Sequence, residues 1–252
     1  VKGSTHLEAL QRIETTLTPP SQSATQPLPT VSHRKPVAQQ RPRVLDLPNA
    51  PPNIVPHNTE PPRVVEPMQF PRVETERLVL SDFQTGDETA VFALFSSTSV
   101  TEYYDLPAFT RLEQATELMQ FFQIRFQTGA GIRWAIRLKA SGELIGTCGF
   151  NSWSSKMQNA VIGYDLLPTV WGNGYAAEAV SAIIATAFNG ELAAGPLHRI
   201  QADTVPGNQA SEALLRKLGF KEEGLRRDSG FWKGQFHDLT CFGLLSTEFH
   251  CS

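Results

Sequence analysis

The segment Trp171-Gly-Asn-Gly-Tyr-Ala176 decides how this 252-residue chain is read. An apolar run ends near Leu166, two glycines follow within eight residues, and an alanine-rich stretch over 175–188 opens at once. That order predicts strand, short loop and helix. Glycines let a backbone come close to a ligand. A helix N-terminus offers unpaired N–H groups and the positive end of a dipole. Together they suit a phosphate or pyrophosphate, although a tight strand-to-helix connection alone would also account for two glycines. No Gly-Lys-Ser/Thr follows, which excludes a P-loop. Gly172-x-Gly174-x-x-Ala177 matches the dinucleotide fingerprint letter for letter, but that fingerprint opens a parallel βαβ unit. Here antiparallel-looking strands precede it, and the acidic residue expected about 20 positions on is Glu191, placed in a loop.

Working outward, alternation and turn residues predict strands over 77–83, 132–139, 144–153, 159–166, 199–205, 220–227 and 237–249. Helical spacing predicts helices over 86–95, 110–127, 175–188 and 208–218. Thr110 with Glu113 has the form of a capping box, and Asn189-Gly190 and Gly219 mark helix ends. The order of elements predicts one mixed α/β sheet.

Ahead of this lies a different composition. Residues 1–72 hold 14 of the 18 prolines, whereas 17 of the 18 glycines, all four tryptophans and 14 of the 15 phenylalanines come later. The chain therefore reads as a proline-rich extension, 1–72, and a domain, 73–252. The extension has too little apolar surface to offset its ordering entropy and is expected to be polyproline II or disordered. Within it, Leu7, Leu10, Ile13 and Leu17 recur at helical spacing, with Thr5 and Glu8 as a capping box and Pro19-Pro20 as a stop. A helix over 5–17 would be marginal alone and suits either a fraying segment or a docking helix. The first residue, Val1, is compatible with processing or truncation, and no Arg-rich transit pattern stands at this end.

The net charge of −3 divides into +3 for the extension and −6 for the domain. Nucleic-acid binding by the whole chain is therefore not expected. Arg34, Lys35, Arg41 and Arg43 form a small basic cluster without interleaved aromatics, enough for a few phosphates and no base reading. Three cysteines give no disulfide framework. Cys148, in an apolar strand, is expected in the core, and Cys241 and Cys251 lack metal-ligand spacing. No run of 18 apolar residues is present, so no membrane-spanning helix is expected.

Five segments in order resemble the GNAT acetyltransferases, in particular the subgroup containing the ribosomal-protein N-terminal (RimJ/RimL-like) enzymes. They are Glu76-Arg-Leu-Val-Leu80; Ile162-Gly-Tyr-Asp-Leu-Leu-Pro168 with Trp171-Gly-Asn-Gly-Tyr-Ala-Ala-Glu-Ala179; Pro206-Gly-Asn-Gln-Ala-Ser211 with Leu214-Leu-Arg-Lys-Leu-Gly-Phe220; Glu223-Gly-Leu-Arg-Arg227; and Gly234 to Asp238 with Phe242-Gly-Leu-Leu245. The resemblance covers most of residues 73–249. It implies a GNAT fold, a mixed and mostly antiparallel sheet whose two parallel strands splay apart. It also implies acetyl-CoA as substrate, without a metal. Leu166 would offer backbone groups to the pantetheine arm, the amides of Trp171, Gly172, Asn173, Gly174, Tyr175 and Ala176 would receive the pyrophosphate, and Asn208 would bond the pantetheine or cap a helix. Thr169 replaces the family's usual Gln or Arg.

Acetyl transfer needs a neutral amine, an oxyanion stabiliser and a proton for the departing thiolate. Many relatives carry a tyrosine where Leu215 stands here. In the subgroup a serine one turn earlier serves, and Ser211 fits that slot. Asp165 is put forward as the base, with Glu102, Asp228, His237 and Asp238 as alternatives; Asp238 also suits a hairpin tie. Tyr103, Tyr104 and Trp232 would line the acceptor site, walled by loop 102–107 and turn 227–234, whereas Trp134 reads as packing.

Two functions follow. One is acetyl transfer to an amine, a protein N-terminus or a small amine. The other is a structural subunit of a large assembly, bound through residues 1–72 and with catalysis reduced or lost. An intracellular reducing compartment suits either, the mitochondrial matrix among them.

Overall fold

A computed structural model describes residues 69–250. The extension up to residue 68, its helix over 5–17, its basic cluster and Cys251 lie outside the described residues. The strands are β1 (Val73–Glu74), β2 (Leu78–Ser81), β3 (Ile132–Leu138), β4 (Leu144–Ser154), β5 (Asn159–Leu166), β6 (Arg199–Thr204), β7 (Lys221–Trp232) and β8 (Gln235–Leu245). The helices are α1 (Glu88–Ser96), α2 (Thr98–Thr101), α3 (Glu113–Gln127), α4 (Tyr175–Phe188) and α5 (Gln209–Lys217), with a 3₁₀ turn at Pro168–Val170.

The eight strands form one sheet in the order β1-β2-β3-β4-β5-β6-β8-β7. All neighbours are antiparallel except β5 and β6, which run parallel. Alternation sends every second side chain to the same face. Trp134, Ile136, Cys148, Phe150, Ile162, Ile200 and Phe242 join Ile183, Ile184 and Leu215 in one apolar cluster, so α4 and α5 cover that face. Ala135 joins Val91, Leu94, Phe95 and Leu118 in a second, so α1 and α3 cover the other. Each fully buried large apolar side chain contributes ~1.5–3 kcal/mol by leaving water.

The ladder between β5 and β6 contains only Asn159↔Arg199, Ala160↔Ile200 and Val161↔Gln201. Beyond it, β5 keeps pairing with β4 as far as Leu166, and β6 keeps pairing with β8 as far as Thr204. The facing edges of Ile162–Leu166 and Ala202–Thr204 thus part inside a sheet that is otherwise continuous. This is the splay expected from the resemblance.

Several boundaries differ from the sequence expectation. Phe70 and Pro71, assigned to the extension, pack on the domain. The Phe70 ring lies 4.7 Å from Phe126 and 5.9 Å from Trp134, and the Trp134 indole donates to the Pro71 carbonyl at 2.7 Å. The box at the start of α3 closes through Gln114 rather than Glu113: its side-chain carbonyl accepts from the amides of Thr110 and Arg111 at 2.8 and 3.1 Å. Segment 227–234, expected as a turn, is mostly strand. β7 runs on to Trp232 across a register shift between Arg226 and Gly230, and the turn shrinks to Lys233 and Gly234, at φ 51° and 81°. Two successive residues at positive φ match the right-handed twist of a hairpin.

Candidate active site

Helix α4 starts at Gly174, whose φ of 80° puts it in the left-handed region, and no side chain caps it. Gly172 is also left-handed, at φ 79°. An added Cβ would meet nothing within 4 Å at Gly172 and only the Arg77 guanidinium, at 3.6 Å, at Gly174. Conformation, not crowding, calls for glycine at both. Among the described residues the amides from Gly172 to Ala176 find no backbone acceptor. Helix α5 is the contrast, because the Asn208 side chain accepts from the Ser211 amide at 3.2 Å and caps it. The fold therefore closes one helix N-terminus and leaves the other open beside the splay.

Each candidate residue has a definite place. Leu166 ends β5 at the mouth of the splay, with its carbonyl engaged by the Trp171 indole N–H at 2.8 Å. Trp171 itself stays half-exposed, at 51%. The Asn173 side chain donates back to the carbonyls of Val170 and Trp171, at 3.1 and 3.3 Å, and shapes the loop. Ser211 lies in the first turn of α5, partly buried, and its carbonyl accepts from the Tyr164 phenol at 3.4 Å. That contact spans the splay, from β5 to the helix after β6. Burial pushes the Tyr164 hydroxyl up to about 12, so it keeps its proton at neutral pH. Leu215 fills the core at 1% exposure. The hydroxyl of Thr204, at the end of β6 in the mouth, is buried and has no hydrogen-bond partner among the described residues. An orphaned buried hydroxyl is costly, and an amide-bearing arm lying in the splay would relieve it. The donor set therefore fits a diphosphate at the loop and a pantetheine arm in the opening.

The base candidates separate by environment. Asp165 is buried, with its side chain 4% exposed, in an ion pair with Arg133 that is itself 3% exposed. Thr147 donates to the same carboxylate oxygen at 3.2 Å, and Arg133 also holds Thr147 and Asn151, at 2.9 and 3.2 Å. Burial pushes the Asp165 carboxyl up against the pull of Arg133 and Thr147. Both donors engage the same oxygen, Oδ2, and the enclosed carboxylate ties β3, β4 and β5 together beneath the splay. His237 stacks on the Trp232 indole, with centroids 4.1 Å apart and planes 6° apart, and its Nε2 meets the Trp232 carbonyl at 3.3 Å. Asp238 accepts from the Asp228 amide at 2.8 Å and holds the bulge in which Asp228 sits at φ 49°. Glu102 is exposed.

The expected acceptor walls meet. Lys233, at the hairpin tip, donates to the Thr101 carbonyl at 2.5 Å, and the Tyr103 hydroxyl reaches the Gly207 carbonyl at 3.4 Å. Tyr104, expected as a wall, packs edge-on against Phe95 at 5.5 Å. Burial raises its hydroxyl further than the nearby charges of Asp165 and Arg133 alter it. The Trp232 ring folds back over Gly230, where a Cβ would lie 1.9 Å from it.

Sequence reasoning missed Asp105, a half-buried carboxylate on loop 102–107. Burial raises its pKa, Asp165 adds to the rise, and Arg133 and Lys233 oppose it. It also missed Tyr164, although that residue sits inside the quoted strand, and the ties from Thr75 and Arg77 to Glu178. Cys148 is fully buried and its thiol is pushed up to about 12 by burial, so it stays protonated. Among the described residues no group of three or more potential metal ligands gathers, and no helix is long and apolar enough to cross a membrane.

The parallel pair β5–β6 parts after three rungs, just before an uncapped glycine-led helix, as the resemblance implied. The family model for the GNAT acetyltransferase domain matches residues 77–221, and the chain belongs to that family. It is similar to the uncharacterized N-acetyltransferase YoaA of Bacillus subtilis, 39% identical over 176 residues, 70% of this chain and 97% of YoaA. It is similar to the uncharacterized N-acetyltransferase p20 of Bacillus licheniformis, 37% identical over 175 residues, 69% and 96%. The ribosomal protein uS5 alanine N-acetyltransferase of Escherichia coli is 32% identical over 107 residues, 42% of this chain and 53% of that enzyme. Among solved structures, a GNAT acetyltransferase from Bacillus anthracis has a TM-score of 0.61 at 25% identity, over 70% of this chain and 99% of that one. RimL, a ribosomal α-N-protein acetyltransferase solved with coenzyme A, shares the fold with a TM-score of 0.61 at 22% identity, over 69% and 98%. MccE, a microcin self-immunity acetyltransferase solved with acetyl-CoA and AMP, does so with 0.61 at 19%, over 68% and 93%. None of these likenesses bears on a role in a large assembly or on a mitochondrial location.

Proposed function

We propose that this GNAT N-acetyltransferase moves the acetyl group of acetyl-CoA to a protein N-terminal amine. The observation that supports it best is the pairing of the open, glycine-led N-terminus of α4 with the parted edges of β5 and β6. The amides of Gly172 to Ala176 hold the pyrophosphate, that of Trp171 being engaged by the Pro168 carbonyl at 3.2 Å; Thr204 and the free amide end of Asn208 meet the pantetheine arm, and the splay orients the thioester toward the acceptor walls. Acetyl transfer forms a C–N bond, breaks the C–S bond, moves a proton from the amine to a base and returns one to the thiolate. Asp105 is the base on this reading, because burial raises its carboxyl and that carboxyl bonds its own backbone amide rather than another side chain. Asp165 positions it through Arg133. Tyr164 and Ser211, which meet at the start of α5, supply the returning proton. The acceptor lies between loop 102–107 and the hairpin tip, with Tyr103 and Trp232 at its edges.

Support for a protein N-terminus over a small amine comes from the relatives that carry that activity in their names. The proline-rich extension, 1–72, is a separate segment on this reading, and residues 73–252 form the domain, with Phe70 and Pro71 docked on it. Isothermal titration with acetyl-CoA, followed by acetylation assays on peptide N-termini and on small amines, tests the proposal. Absence of acetyl-CoA binding at high micromolar concentration would overturn it. Transfer confined to small amines would overturn the choice of acceptor.

A further inference from the structure

Glu178 stands in the first turn of α4, an unfavourable place for a second negative charge if a diphosphate sits at that helix end. Four donors occupy its carboxylate. Thr75 Oγ1 and the Arg77 amide donate to one oxygen at 2.5 and 2.8 Å, and Arg77 Nε and Nη2 both reach the other at 2.7 Å. The same guanidinium continues into the glycine loop. Its Nη1 donates to the Asn173 carbonyl at 3.0 Å, its plane lies 4.4 Å over the Tyr175 ring, and Nη2 is the atom nearest the missing Cβ of Gly174. One side chain just ahead of β2 thus bonds Asn173, stacks on Tyr175 beside Gly174, and holds the nearest acid of the helix. The Arg77 side chain is 43% exposed and that of Glu178 18%, and an ion pair so open to water adds little to folding stability. Its geometry, rather than its strength, sets it apart from the other surface pairs.

We propose that Arg77 is a positioning residue for the coenzyme end of the site, cancelling the Glu178 charge and fixing Asn173–Tyr175 so that the loop amides face an anion. This rests on the acetyl-CoA reading above. The proposal concerns affinity for the nucleotide end, not the chemical step, so the two kinetic parameters should divide.

The test is titration of the full chain with acetyl-CoA at low and high salt, together with steady-state kinetics. Arg77→Ala should weaken binding about tenfold at low salt and raise KM for acetyl-CoA to match, with kcat changed less than about twofold. Glu178→Gln, which removes the charge and keeps an acceptor, should bind about as tightly as the unaltered protein. The double variant Arg77→Ala/Glu178→Gln should recover most of the loss. Should Arg77→Ala not fold, Arg77→Gln replaces it, keeping a donor for the Asn173 carbonyl without the charge. Unaltered protein that fails to bind acetyl-CoA would bring down the acetyl-CoA reading, and this inference with it. Unaltered protein that binds, beside an Arg77 variant that binds equally well, would overturn this inference alone. So would a double variant with no recovery, which would mean that Arg77 meets the ligand directly or merely supports the fold.

Discussion

A pair of substitutions at Gly174 separates backbone strain from charge. The residue sits at φ 80°, and an added Cβ would meet only Arg77, at an ordinary 3.6 Å. Gly174→Gln and Gly174→Glu therefore share one cost, the left-handed conformation, worth ~1–2 kcal/mol for a residue with a Cβ. In a domain of this size that corresponds to a fall of about 2–8 °C in Tm, equal for both. The two differ only in charge. A carboxylate roughly 5 Å from a bound phosphate charge faces a repulsion of ~3 kcal/mol at an effective dielectric of ~20. Exposure at the loop cuts this to about 1–2 kcal/mol, or about 5- to 30-fold in affinity. Gly174→Glu should bind acetyl-CoA that much more weakly than Gly174→Gln in low salt, and the gap should narrow near 1 M salt, where the screening length is ~3 Å. Calorimetric titration of both variants, each checked by thermal melting, reads the difference. Equal affinities in two folded variants would show that no anion lies near Gly174, and the assignment of the loop would fall.

Four further outcomes are expected. Arg133→Leu strands the buried Asp165 charge and should cost ~3–5 kcal/mol in denaturant unfolding, with much of it recovered when Asp165→Leu is added. Asp105→Asn should remove the rising limb of kcat/KM with pH; because its carboxyl is raised by burial, that limb lies above the ordinary carboxylate range, and activity grows as the group loses its proton. Tyr164→Phe should lower kcat on the order of 100-fold with KM for acetyl-CoA unchanged, and Ser211→Ala by less than about threefold, if the phenol is the proton donor; the reverse order would assign the proton to the serine. Burial alone would raise the Glu178 carboxyl, but the bonds from Thr75 and Arg77 outweigh it and hold it low. Its contribution to stability is therefore full above the unfolded carboxylate value and is lost as pH falls through the folded one. The difference in Tm between the unaltered protein and Thr75→Val should shrink between pH 7 and pH 3.

Local signals carried much of this fold. The glycines at 172 and 174, the alanine-rich run after them and the alternation in β3 to β5 each report on a few neighbouring residues, and the strand-loop-helix order was legible from them alone. The mouth of the splay was legible by resemblance only, since nothing in 159–166 or 199–205 says that two paired strands part after three residues. The turn at 227–234 came from the resemblance, whereas β7 runs on to Trp232 and Gly230 is a strand glycine under the Trp232 ring. The site's electrostatics were least legible. Arg133 reads as the polar member of an alternating strand, yet it points inward and meets Asp165, 32 positions away. Thr75 and Arg77 meet Glu178 across 103 and 101 positions. Such pairings depend on strand order, which composition and periodicity do not encode.

The three-rung ladder between β5 and β6 also makes the sheet a structure with a notch. Past those rungs, five strands on one side and three on the other are joined by side chains that bridge the gap: Tyr164 to α5, Tyr103 to the Gly207 loop and Lys233 to the end of α2. A load applied across the sheet concentrates at the last rung, Val161 and Gln201, as it does at the tip of a crack. A molecule lodged in the notch would act as a rivet between the two panels. Amide exchange in β6 and β8 should slow when acetyl-CoA is added, even at positions it never touches, because the panel that carries them can no longer peel away alone.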